Sequence, residues 1–265
     1  MQVTNNSAIA KIALQGAHLF HYQRNGDLPL LYVSGSSHFE KGQAIRGGIP
    51  ICWPWFGKHK TNPILPQHGF VRTALWRCAE TREDESTTVL CFEPENICQG
   101  HEYWPFQTAL RLEITVGDKL SLRLITTNRD TTPFTISEAL HSYFAVSDIT
   151  DTTIHGLGGI SFLDTLTMKQ ECEIKDITIS CETDRVYQHV SQDITIIDKH
   201  RTITIQSGGS KSTVLWNPWI EKSRRMADMD NDGYKKMLCL ETANALADER
   251  TLMPDETHIL SATIF

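Results

Sequence analysis

The sequence predicts an all-β fold of antiparallel strands with few short helices. Three observations carry that prediction. Leu110, Leu112, Ile114 and Val116 alternate with Arg111, Glu113 and Thr115, the period-2 pattern of a strand with one buried face. β-branched residues crowd the other apolar runs, which suits a pleated, half-buried surface. No stretch keeps a 3.6-residue apolar repeat beyond a turn or two.

In chain order, Thr87-Thr88-Val89-Leu90-Cys91-Phe92 reads as the first clear strand. The alternating run 110–116 is broken by Gly117-Asp118-Lys119 and resumes at Leu120, Leu122 and Leu124, which predicts a hairpin. Residues 174–179 read as a further strand. Ile194-Thr195-Ile196-Ile197 and Thr202-Ile203-Thr204-Ile205, joined by Asp198-Lys199-His200-Arg201, form a second pair, and Ser212-Thr213-Val214-Leu215-Trp216 a last run. Two regions do not read as sheet. Residues 44–72 hold Pro50, Pro54, Pro63 and Pro66 with Gly47, Gly48, Gly57 and Gly69, and proline cannot donate to a ladder. This loop nevertheless carries Trp53, Trp55, Phe56 and Phe70. Residues 217–234 are similar in character, with Trp219 beside a dense cluster of charge. Long aromatic loops on a rigid sheet are where sites are usually built.

The chain has 265 residues, 40% hydrophobic and 22% charged, with 25 basic and 32 acidic side chains giving a net charge of −7. No repeat, low-complexity tract or linker divides it, so one domain over 1–265 is expected. The acidic balance argues against a nucleic-acid or anionic-membrane partner, since both need a clustered basic footprint. No apolar run approaches the ~18 residues of a membrane span, and Met1-Gln2-Val3-Thr4-Asn5-Asn6 does not read as a signal peptide. The seven cysteines at 52, 78, 91, 98, 172, 181 and 239 are odd in number and lack a C-x-x-C pair, the pattern of reduced thiols in a cytoplasmic protein. Nothing calls for more than a monomer.

Several site classes find no support. Eleven histidines occur without the spacing of a zinc site. Asp228-Met229-Asp230-Asn231-Asp232-Gly233 resembles half of a calcium loop, but the twelfth position is Cys239 where a bidentate Glu is required; an acidic turn is the expectation. His155-Gly156-Leu157-Gly158-Gly159 lacks the features of a dinucleotide loop, and Gly-x-Ser-x-Gly is absent. Three stretches do combine residues suited to acid–base chemistry. They are Pro66-Gln67-His68-Gly69-Phe70-Val71-Arg72, Glu138-Ala139-Leu140-His141-Ser142-Tyr143-Phe144, where a histidine enters a strand, and Met237-Leu238-Cys239-Leu240-Glu241-Thr242-Ala243-Asn244, where an apolar strand delivers a glutamate at its end. A carboxylate after four apolar residues must be paired, hydrogen-bonded or functional, because burying it unpaired costs several kcal/mol.

These residues carry a family resemblance. Ala44-Ile45-Arg46-Gly47-Gly48-Ile49-Pro50-Ile51-Cys52-Trp53-Pro54-Trp55-Phe56-Gly57 resembles the signature loop of the hexose-6-phosphate mutarotases (glucose-6-phosphate 1-epimerases) of the aldose 1-epimerase superfamily. Gln67-His68-Gly69-Phe70-Val71-Arg72, Leu140-His141-Ser142-Tyr143-Phe144, Thr183-Asp184-Arg185-Val186-Tyr187, Trp216-Asn217-Pro218-Trp219 and Cys239-Leu240-Glu241-Thr242-Ala243 follow in the expected order. The match runs over about residues 10 to 245, and its departure is a short N-terminus. The resemblance implies a galactose-mutarotase-like β-supersandwich of antiparallel sheets. It also implies His141 as catalytic acid and Glu241 as base, Arg46 and Arg72 as phosphate ligands, Gln67 and Asp184 at the sugar, and His68 in a positioning role.

Interconverting anomers means opening a hemiacetal ring, rotating about C1–C2 and closing on the other face. A base takes the C1 hydroxyl proton while an acid protonates the ring oxygen, and each is expected to supply roughly 10²–10⁴-fold. One carboxylate and one imidazole on opposite sides of the ring suffice, starting as carboxylate and imidazolium, with a negative neighbour holding the latter. No redox change occurs, so no cofactor and no metal is required. Two guanidinium groups suit a phosphate dianion. Trp53, Trp55, Phe70 and Trp219 are candidate pocket walls, loop core being the reading preferred for Trp53 and Trp55. The resemblance therefore implies a hexose-6-phosphate 1-epimerase with a small hexose phosphate as partner. The alternatives are an aldose 1-epimerase acting on unphosphorylated sugar and a non-catalytic sugar-phosphate binder.

Overall fold

The computed structural model describes residues 1–96 and 101–265, so that of the seven cysteines Cys98 lies outside the described residues. The predicted hairpin forms as Thr108–Val116 against Leu120–Asn128, in register from Thr108 with Asn128 to Val116 with Leu120. Its alternation is reproduced residue by residue: Leu110, Leu112, Ile114 and Val116 are buried while Arg111, Glu113 and Thr115 are only partly so. The second predicted pair forms as Ile194–Ile197 against Thr202–Gly208. Both join a nine-stranded antiparallel sheet that also contains Thr88–Pro94 and the long C-terminal strand Thr257–Ile264.

An eight-stranded antiparallel sheet supplies the second layer. Its middle is Thr183–Gln188, Ser212–Asn217 and Met237–Asn244, followed by Glu138–Leu140 and the short Ile51–Cys52. All eight residues of Met237–Asn244 are buried, because both faces of this strand are covered. Leu238 and Leu240 belong to the main apolar core. Met237 and Cys239 pack with Tyr143 and Trp216 on the other face, and Ala243 with Val186 and Val214. Glu241 shares the parity of that second face, so the pleat turns it away from the core. A three-stranded sheet, Gln2–Thr4, Ala8–Ala13 and His18–Arg24, and a small pair, Phe134–Ile136 with Arg250–Leu252, complete the architecture.

Residues 44–72 form a loop with only Ile51–Cys52 as strand, and their aromatic rings go inward. Trp53 is fully buried, and Trp55 and Phe70 nearly so; Trp53 meets Phe70 and Trp104 edge to face, and Phe70 meets Trp55 at a tilt. Trp53 and Trp55 are thus loop core, as preferred. Phe70 joins them there, in the main apolar cluster and against the His101 ring. Residues 217–234 contain one short helix, α1 (Trp219–Arg225). Its excursion is closed by the buried Asn217, whose Oδ1 accepts from the Trp219 amide while its Nδ2 donates to the carbonyls of Tyr234 and Met237. The strand expected over 174–179 is shorter: only Ile177–Thr178 pair, and Ile174 is 89% exposed. Gly159 instead uses Glu173 as an acceptor, a loop contact that takes this stretch past the sheet edge. No helix of the described residues is long and apolar enough to cross a membrane.

Gly69 is one position where only glycine fits. It has φ +71°, and a Cβ there would overlap the carbonyl oxygen of Trp53, with which Gly69 forms a bridge. Gly69→Ala is expected to lower stability by at least about 2 kcal/mol, measured by urea unfolding. Wild-type stability in that variant would contradict the packing described.

Candidate active site

The strand Glu138–Leu140 pairs Leu140 with Thr242, and after a break Tyr143 pairs with Cys239 in the same register. His141 therefore stands directly opposite Glu241, on the break rather than inside the strand as expected. The His141 amide donates to the Pro50 carbonyl and that of Tyr143 to the Gly48 carbonyl, so the signature loop holds this break in place. Glu241 lies mid-strand, not at a strand end. It is flanked by small or apolar neighbours, Val214 across the ladder and Ala243 two residues on.

His141 Nε2 and Glu241 Oε1 are 3.4 Å apart, with side chains 10% and 1% exposed. The two groups thus touch, where sequence reasoning set them on opposite sides of a sugar ring. Such a pair can address two oxygens carried by one carbon. Glu241 Oε2 and His141 Nδ1 are buried without a hydrogen-bond partner among the described residues. Burial is the largest influence on both pKa values. It pushes Glu241 well above the usual carboxylate range, with Asp184 adding to the rise and Arg72 opposing it. It pushes His141 well down, helped by His68, Arg72 and Arg46. The negative neighbour expected to hold an imidazolium is placed here in direct contact, as Glu241 itself. Carboxylate with imidazolium and carboxyl with imidazole hold the same single proton, and burial disfavours the charge-separated form.

The pair forms part of the wall of a cleft of about 620 Å³ that also includes Arg46, Gln67, His68, Arg72 and Asp184. All seven residues proposed from the sequence thus meet in one place. Arg72 Nη2 donates to the Gln67 carbonyl and makes no carboxylate contact among the described residues. Arg46 is different: Nε and Nη2 both donate to Asp228 Oδ2, at 3.1 and 3.0 Å, and Nη1 donates to the Tyr143 hydroxyl at 3.0 Å. His68 adopts φ +65°. Its Nδ1 accepts from the Gly57 amide at 3.2 Å, which puts the proton of the neutral ring on Nε2. Burial, then Arg72 and Arg46, lowers His68 to about 3, so it stays neutral, consistent with a positioning role. Asp184, opposite Trp216 in the ladder, is raised mainly by burial.

Lys58, Tyr143, Trp216 and Lys222 also line this cleft, and sequence reasoning passed over them as site residues. Lys222 lies on α1, bonded to Glu182 at 2.9 Å with its ammonium 5.8 Å from the Trp216 ring; the charge cluster beside Trp219 was its only signal. Trp219 packs on Tyr234 and does not line the cleft. The acidic turn 228–232 sends its carboxylates to separate partners. Asp228 goes to Arg46, Asp230 to the Gly35 amide and Ser36 hydroxyl, and Asp232 to Lys235. Among the described residues no group of three or more His, Cys, Asp or Glu side chains is placed to hold a metal ion.

The profile of the aldose 1-epimerase family matches residues 1–263. A Salmonella typhimurium protein named "putative glucose-6-phosphate 1-epimerase" is 36% identical over 245 residues, spanning 91% of this chain and 81% of its own. A Cenchrus ciliaris protein of the same name is 34% identical over 262 residues, 93% of this chain and 78% of its own. The crystal structure of a "putative mutarotase" from Salmonella typhimurium superposes with a TM-score of 0.91 at 33% identity, covering 99% of this chain and 88% of that one.

His18 braces the signature loop: it is 1% exposed and its Nε2 lies 2.8 Å from the Gly47 carbonyl. Burial lowers its pKa to about 4. The unfolded ring, titrating near 6.5, takes up its proton first as pH falls. The stabilisation from a neutral His18 is intact above pH 6.5 and is lost progressively toward pH 4, on the order of 3 kcal/mol. Urea unfolding is expected to show stability falling over this window more steeply in wild type than in His18→Gln. Equal slopes would contradict the assignment.

Proposed function

The chain belongs to the aldose 1-epimerase family, and from that membership we propose that it interconverts the α and β anomers of a hexose 6-phosphate such as glucose 6-phosphate. The observation that carries the proposal is the buried contact of His141 Nε2 with Glu241 Oε1, in a cleft that also holds Arg72, which meets no carboxylate among the described residues. A binding module has no need of an acid and a base side by side. The names of the 34–36% identical relatives support the phosphorylated substrate.

In the proposed reaction the Glu241 carboxylate takes the proton of the C1 hydroxyl while the His141 imidazolium gives its proton to the ring oxygen. The bond from C1 to the ring oxygen breaks, and C1 becomes an aldehyde. The enzyme is left as carboxyl and neutral imidazole, the form that burial favours. Rotation about C1–C2 then presents the other carbonyl face. The ring hydroxyl adds to C1 as His141 takes its proton back and Glu241 returns its own to the new C1 hydroxyl. Both reacting oxygens are bonded to C1, so two catalytic groups in contact are suited to serve them together. No electron leaves the sugar, and the proposal includes no cofactor.

Arg46 and Arg72 are proposed to bind the phosphate, with Arg72 as the main ligand because Asp228 already offsets the charge of Arg46. Gln67 and Asp184 are proposed to contact sugar hydroxyls, and His68 to position its neighbours. We take residues 1–265 to work as one mutarotase-like domain, supported by the family match over 1–263, and the enzyme to act as a cytoplasmic monomer.

A charge-assisted contact is worth on the order of 1.5–3 kcal/mol, so Arg72→Ala is expected to raise KM for glucose 6-phosphate about 10- to 100-fold. Anomer exchange of free glucose, which loses only the influence of Arg72 on the His141–Glu241 pair, is expected to fall by a clearly smaller factor. The measurement is two-dimensional NMR exchange spectroscopy on both sugars. An equal loss on both would remove Arg72 from the phosphate site, and exchange accelerated on neither by wild type would overturn the epimerase reading.

A further inference from the structure

The acidic turn 228–232 supplies no group to the proton transfers above, yet it reaches the proposed acid through an unbroken chain of contacts. Asp228 Oδ2 receives two hydrogen bonds from the guanidinium of Arg46. The remaining arm of that guanidinium donates to the hydroxyl of Tyr143. The Tyr143 ring lies flat on the His141 imidazole, with centroids 4.8 Å apart and planes 7° from parallel. Tyr143 is fixed in turn by burial, at 2% exposure, and by edge contact with Trp216.

The need for such a chain lies in what His141 lacks. A working imidazole is usually aimed by a carboxylate or carbonyl on the nitrogen away from the substrate. Here Nδ1 is buried and has no hydrogen-bond partner among the described residues, while Nε2 faces Glu241. Packing must therefore aim the ring. Tyr143 covers one face, and His68 and Trp216 meet it edgewise at 5.6 and 6.4 Å. Of these three, Tyr143 is the one whose hydroxyl accepts from a guanidinium that is itself ion-paired with a carboxylate.

We propose that Asp228 is a positioning residue for the epimerase reaction, acting through Arg46 and Tyr143 to set the orientation of the His141 imidazole. The proposal rests on the assignment of His141 as the acid. It gives Arg46 a second task besides the phosphate. It also separates Asp228 from Asp230, which ties the same turn to residues 34–36 without touching Arg46.

Small displacements of a reacting group cost as much as about 10²-fold in rate, so Asp228→Asn is expected to lower kcat about tenfold. Because the effect runs through the acid, the loss should appear on free glucose as well as glucose 6-phosphate. Asp228→Asn and Tyr143→Phe should also combine less than additively. Asp228→Glu is expected to recover most of the rate, and Asp230→Asn to stay within about twofold of wild type even where it lowers stability equally. Ring ¹⁵N NMR, with His141 assigned by the signal missing in His141→Gln, should show displaced His141 resonances in Asp228→Asn. Unmoved His141 resonances, or a loss confined to KM for the phosphorylated sugar, would overturn the proposal. The NMR arm needs no turnover, so absence of epimerase activity in wild type would sink the functional reading while leaving the positioning claim still testable.

Discussion

A carboxyl group on one strand and an imidazole on a break in the neighbouring one, Glu241 Oε1 and His141 Nε2, meet at 3.4 Å where almost no water reaches them. Isolated charges at such a depth are costly, and the cost is relieved when one proton can pass between partners. Much of the surrounding structure serves that condition. The strand Met237–Asn244 buries Leu238 and Leu240 in the core and turns Glu241 toward the cleft. The break after Leu140 sets His141 opposite it, and the loop carbonyls of Gly48 and Pro50 hold the break. Val186, Val214 and Ala243 keep the neighbourhood apolar, which raises one pKa and lowers the other. The result is a site in which burial raises Glu241 and lowers His141, drawing their shared proton toward the neutral form of the pair.

Charge in the cleft is distributed with the same economy. The molecule as a whole carries −7, yet Arg46, Arg72, Lys58 and Lys222 all line one cavity. Asp228 offsets Arg46 and Glu182 offsets Lys222. The local field is thereby limited, and a single small anion is better suited to it than a polyanion. The two guanidinium groups also act on the pair itself, since Arg72 opposes the rise of Glu241 and both arginines depress His141.

The fold was legible where a strand meets two different environments. The alternation of Leu110 to Val116 records one buried and one wet face, and the structure reproduces it. Where both faces are covered, as in Met237–Asn244, alternation disappears from the hydropathy and Glu241 looks like a strand end. Register between segments a hundred residues apart leaves no local trace. That His141 and Glu241 belong to one site was expected only through the resemblance to a family, and their direct contact was not expected at all. The helix α1 is too short for a 3.6-residue period to show, and Lys222 was hidden with it. Asp228 was read only as part of an acidic turn because its partner, Arg46, lies 182 residues away. Ile174, apolar and close in sequence to the β-branched run Ile177-Thr178-Ile179, misled the reading because nothing in its local pattern marks the edge of a sheet.

The account stands most directly on the proton pair, and one comparison tests it. Anomer exchange of glucose 6-phosphate is to be followed by two-dimensional NMR for wild type, Glu241→Gln, His141→Gln and buffer alone. The account predicts strong acceleration by wild type and a loss of roughly 10²–10⁴-fold in each variant, with both variants folded. Exchange in Glu241→Gln equal to wild type would contradict it and leave the cleft as a binding site.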